Sequence, residues 1–109
     1  MGLTLYVYKA KSNDDVNKVI TKKPKYSFRK YWFVYDYCIK HFIAWHNDDI
    51  AKIDVRALKD MVNYFNDIVA KCQFTLRDEI MEYKDFLKRI KSLQRYIKDD
   101  EIIYFEFNY

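Results

Sequence analysis

One glycine and one proline in 109 residues leave no material for a glycine-rich phosphate loop or a flexible linker. Loops of the Walker or dinucleotide kind are excluded. Histidine is nearly as scarce. His41 and His46 stand five residues apart, about 140° around a helix, so the i, i+4 geometry of helical zinc ligands is missing. The two cysteines, Cys38 and Cys72, are expected on inward helix faces as buried free thiols. No stretch approaches the roughly 18 apolar residues of a membrane span. The opening MGLTLYVYKAKSNDD lacks the ordering of a signal peptide, and Tyr6 stands where a myristoylation motif wants Ser or Thr. These features lead us to expect a cytoplasmic protein without a membrane partner, metal or cofactor.

What is abundant is aromatic: 19% of residues are Phe, Trp or Tyr, within a composition that is half apolar. That is a globular composition, and the length suits one domain spanning 1–109. The net charge of +4 is unevenly spread. Residues 9–30 hold eight lysines and arginines against Asp14 and Asp15.

In chain order, LTLYVYK (3–9) alternates Leu3, Leu5 and Val7 with Thr4, Tyr6 and Tyr8, the period of a strand. Ser12 or Asn13 can cap a short helix on Val16, Val19 and Ile20, ended by Lys22-Lys23-Pro24-Lys25. Phe28–His46, free of glycine and proline, reads as one long central helix. Its expected core face is Phe28, Tyr31, Trp32, Tyr35, Cys38, Ile39, Phe42 and His46. Asn47-Asp48-Asp49 breaks the pattern, and 50–55 fits a short strand. A clean amphipathic helix follows over 55–72 on Leu58, Met61, Val62, Phe65, Val69 and Cys72. Thr75 suits the cap of another, running to about Lys98 on Leu76, Ile80, Tyr83, Leu87, Ile90, Gln94 and Ile97, with Glu82, Lys88, Lys91 and Arg95 outside. IIYFEFNY (102–109) is a second strong strand. The expected architecture is α+β: the terminal strands pair in a small antiparallel sheet, packed by three main helices.

No residue set announces a reaction, and we assign no catalytic residue. His41 follows Cys38 by three positions, but a thiol on an apolar face is ordinarily inert. Glu82-Tyr83-Lys84 matches half a nuclease motif, yet mid-helix rather than on a strand. A small enzyme such as a nuclease therefore ranks third among the readings. The stronger pattern is a basic and aromatic strip on the central helix: Arg29, Phe33, Tyr37 and His41 at i+4 steps, flanked by Lys25, Lys30 and Lys40. Cations beside stacking rings suit a nucleotide or single-stranded nucleic acid. A protein-binding face built on the same residues is equally compatible, and a homo-oligomer is compatible too. A helix buried on most sides would account for Phe33 and Tyr37 without any ligand, so their burial is the deciding observation.

Taken together, MGLTLYVY at the start, Phe28-Arg29-Lys30 and His41-Phe42 in the aromatic stretch, IDVRALKDMV and the closing IIYFEFNY resemble a group of small, largely uncharacterised bacteriophage and prophage proteins. In that group a Met-Gly-Leu-x-x-Tyr-x-Tyr strand precedes an aromatic Arg-Lys helix. Phe28 here stands where the group prefers Trp, and Tyr35 where it tends to have His. The resemblance implies an accessory protein acting in the cytoplasm of a bacterial host, and no reaction. The leading expectation is a factor that inhibits a host defence component by binding a host protein. The alternative is a binder that sequesters a nucleotide or another small anion.

Overall fold

The computed structural model describes residues 2–11, 13–41, 50–71 and 77–109. Eight elements follow in order: β1 (Thr4–Lys11), α1 (Val16–Val19), β2 (Tyr26–Arg29), α2 (Trp32–His41), β3 (Ile50–Ile53), α3 (Val55–Ala70), α4 (Arg77–Tyr96) and β4 (Glu101–Asn108). The fold is α+β, and its terminal strands pair as expected. The expectations for Ser12, Phe42, His46, Asn47-Asp48-Asp49, Cys72, Thr75 and Leu76 lie outside the described residues. The rest falls into two compact units, Met1–Asp54 with Asp100–Tyr109, and Val55–Asp99.

The first unit is built on a four-stranded antiparallel sheet in the order β2-β1-β4-β3. β1 and β4 pair along their whole length, from Thr4 opposite Asn108 to Lys11 opposite Glu101. Because side chains alternate across a strand, this register sorts the sheet into two faces. One carries Leu5, Val7, Phe28, Ala51, Ile53, Ile103, Phe105 and Phe107, all buried. The other carries Tyr6, Tyr8, Ala10, Ile102, Tyr104 and Glu106. Over part of this second face lies α1. Asp15 caps it, accepting from the backbone N–H of Asn17 at 3.0 Å, in place of the Ser12 or Asn13 expected. Val19 joins Tyr8, Ala10, Ile50, Ile102 and Tyr104 in a small core, with Val16 and Ile20 packed against it.

The long helix expected over 28–46 is corrected at its start. Residues 26–29 are strand β2, with Phe28 opposite Leu5 and Arg29 opposite Thr4. Its ends are clamped by backbone hydrogen bonds: Lys25 N–H donates to Val7 O and Lys30 N–H to Leu3 O, each at 2.7 Å. Lys30 then takes the left-handed conformation, φ 64°, and turns the chain into α2. That region normally favours glycine; with none available, a lysine makes the break.

The buried face of α2 is also corrected. Val34, Tyr37 and Cys38 are buried, while Trp32 and Ile39 are exposed. The face is rotated by about 100° from the one expected. Lys40 occupies its last turn, where a cation suits the helix dipole.

In the second unit α3 buries Leu58, Met61, Val62 and Phe65 of the stripe its periodicity predicts, while Val69 is half-buried. Phe65 meets Phe86 and Tyr83 of α4 edge-on, each with ring centres 5.6 Å apart. Among the described side chains of α4, Phe86, Leu87, Ile90 and Leu93 are buried. Phe86 and Leu93 were not in the expected stripe.

Candidate functional site

The seven residues expected as a partner-binding strip do not form one patch. Phe33, Tyr37, Lys40 and His41 share a side of α2. Tyr37 is only 6% exposed, its ring stacked on His41 with centres 4.2 Å apart and planes 27° from parallel. Phe33 is half-buried, its ring 5.1 Å from Tyr31. Lys25, Arg29 and Lys30 are exposed, but they precede the helix. Strand alternation puts Arg29 on the face of Tyr6 and Glu106, opposite to Phe28. Lys40 and His41 lie at the far end of α2, about 12 Å along its axis from Trp32. The cations thus stand in separate groups, with a buried tyrosine between them.

Trp32 and Tyr35, both expected in the core, form a more coherent surface with Tyr109. Trp32 is 38% exposed and Tyr109 49% exposed. The Trp32 ring meets Tyr35 edge-on at 5.5 Å and lies 5.9 Å from Tyr109. Tyr35 meets both Tyr109, at 5.6 Å, and Phe107, at 5.2 Å, edge-on. The Tyr35 and Tyr109 hydroxyls are 3.4 Å apart. The phenol of Tyr35 and the indole of Trp32 are therefore braced by the end of β4 and its flanking residue. Alongside runs a second row of rings: Phe28 stacks on Tyr31 at 5.0 Å, and Tyr26 lies 6.2 Å from Phe28. Tyr109 escaped sequence reasoning because its place beside α2 depends on the full-length β1–β4 register. The only local signal was an aromatic residue directly after a strong strand.

Chemically, this arrangement is suited to contact. The Cys38 thiol is buried, and burial pushes its pKa well up, so the thiolate needed of a nucleophile is disfavoured. Among the described residues, no three of His, Cys, Asp and Glu come together as a metal cluster. None of the described helices is long and apolar enough to cross a membrane. A long-range side-chain hydrogen bond on the sheet joins Tyr8 to Glu106: the phenol donates to Oε1 at 3.1 Å. Burial, then the neighbouring carboxylate, push the Tyr8 pKa up to about 12. That keeps Tyr8 a neutral donor at physiological pH.

In comparisons with known proteins, no protein-family model matches the chain, and no curated protein or solved structure matches it.

Proposed function

We propose that this protein acts by binding rather than by catalysis, as a phage-type accessory factor that inhibits a bacterial host component, a defence protein foremost. The observation that carries the binding reading is the partly exposed Trp32 braced by Tyr35 and Tyr109. Tryptophan and tyrosine dominate the energetics of protein interfaces. Rings already fixed by neighbours lose little side-chain entropy on docking. Lys30, exposed just ahead of Trp32 in the chain, adds charge near this patch. The phage and host elements of the reading are supported by the resemblance of MGLTLYVY, IDVRALKDMV and IIYFEFNY described above.

The nucleotide alternative is the weaker one, because Tyr37, offered as a stacking face for a base, is buried. Capture with tagged protein from a bacterial host lysate, followed by titration of the purified partner, separates the two. The protein-binding reading expects a stoichiometric complex that inhibits the partner. Trp32→Ala should weaken that complex at least tenfold with melting nearly unchanged. Equal capture by wild type, Trp32→Ala and Tyr109→Ala sinks the assignment to this patch. A nucleotide that stabilises the chain by about 2.7 kcal/mol at 100 times its Kd would favour the alternative instead.

A further inference from the structure

The helical hairpin of α3 and α4 carries a feature independent of the aromatic patch. Between the two helices lies a groove of about 550 Å³, within the range of ligand clefts. Leu87 and Val69 supply apolar surface in it. Its charged lining is all of one sign: Lys84, Lys88, Lys91 and Arg95, with no carboxylate among the described residues that line it. At 100° per residue these four fall within an arc of about 60°, so they form one straight row, about 16 Å long. On the sequence alone Lys88, Lys91 and Arg95 are an ordinary solvated face. The spacing argues otherwise. A helix surface gains from a carboxylate four residues before a lysine and loses when both positions carry like charges. Here both i, i+4 pairs, Lys84 with Lys88 and Lys91 with Arg95, are like-charged. Two acids of these helices are engaged elsewhere, Asp67 with Lys71 at 3.0 Å and Asp85 with Arg89 at 3.4 Å. Lys91 is held in place, its Nζ donating to Asn66 Oδ1 at 3.1 Å. At the end of the row Tyr96 also lines the groove and is 65% exposed.

We propose that this groove binds single-stranded nucleic acid, the four cations tracking successive phosphates and Tyr96 stacking on a base. An extended row fits a phosphodiester backbone better than a compact triphosphate, which would reach only part of it. Apolar lining and an exposed ring suit unpaired bases, whose faces a duplex hides.

The test uses the whole chain and fluorescence anisotropy with labelled dT and U 20-mers, to distinguish DNA from RNA. Binding to at least one should weaken steeply with salt. The slope of log affinity against log salt should lie between about −2 and −3, as three or four phosphate contacts to a single strand require. The triple variant Lys84→Gln, Lys88→Gln, Arg95→Gln, which leaves the Lys91–Asn66 contact intact, should shallow the slope by about 2. It should also lose at least tenfold in affinity at low salt. Should it fail to fold, each single substitution should shallow the slope by about 0.7. Tyr96→Ala should lose roughly tenfold in affinity with the slope unchanged. Trp32→Ala should bind the oligonucleotides as wild type does, so failure here and failure of the protein-binding reading are distinguishable. The proposal is overturned if wild type binds neither 20-mer at low salt, or if the substituted groove binds as tightly as wild type. It is also overturned if polyglutamate displaces the oligonucleotide equally well at equal charge, which would assign the groove to acidic peptide.

Discussion

The two faces of the sheet are made of different materials. On one side Leu5, Val7, Ile53, Ile103, Phe105 and Phe107 form a dry layer without a polar atom in their side chains. On the other, tyrosines alternate with Ile102 and Glu106, and the helix packed over part of them, α1, is four residues long. The dry face can contribute stability through close packing alone. The mixed face depends on a hydrogen bond and a small cover, so it responds to pH. One strand, β4, contributes to both, which makes neighbouring residues a direct comparison. Ile103→Ala empties the dry layer and should cost about 4 kcal/mol; Ile102→Ala, beneath α1, should cost about 2 kcal/mol, since a short helix can settle into the space. Urea unfolding of both variants reads the difference. Equal losses would break the distinction between the faces.

The next effect is smaller and sharpens the character of the mixed face. Tyr8→Phe removes the donor to Glu106 and should cost about 1 kcal/mol at neutral pH. It should also change the alkaline limb of stability. In the unfolded chain a tyrosine ionises near pH 10, while in the fold Tyr8 ionises at about 12. Its contribution is therefore present in full below pH 10 and lost as the pH rises from 10 through 12. Tyr104 is shifted in the same direction by burial and by Asp14 and Asp15, so Tyr8→Phe should flatten the decline without removing it. A decline of unaltered steepness in the variant would exclude Tyr8 as a source.

How legible these regions were in the sequence follows from their surroundings. β1 and β4 showed because period two and β-branched or aromatic residues coincide there. In α3 the apolar residues repeat at helical spacing with polar neighbours such as Lys59, Asp60 and Asn63 outside. β2 did not show: Tyr26, Phe28, Tyr31, Trp32 and Phe33 fit a strand or a helix equally, and no glycine marks the break. The face of α2 was hidden for a related reason. Aromatic residues on several of its sides let the periodicity point to more than one stripe. The exposed patch of Trp32 and Tyr109 was thereby assigned to the core or overlooked, and Tyr37 to the surface. Lys88, Lys91 and Arg95 read as an ordinary solvated face beside Glu82, because the groove they line with Lys84 exists only once α3 lies beside α4.

The smallest effect expected concerns the residue where the chain leaves the sheet. Lys30 holds a left-handed conformation that costs a side-chain-bearing residue roughly 1–2 kcal/mol. Lys30→Gly relieves that cost but also loosens the unfolded chain, by about 0.4–1 kcal/mol. The net expectation is a gain of about 0.5–1 kcal/mol, seen as a higher melting temperature. The substitution also removes a charge beside Trp32, so it separates two roles. A stabilised variant that binds its partner as wild type does would make Lys30 purely the break between β2 and α2. A stabilised variant with weakened binding would place its ammonium in the contact surface, at a position where the fold alone would prefer glycine.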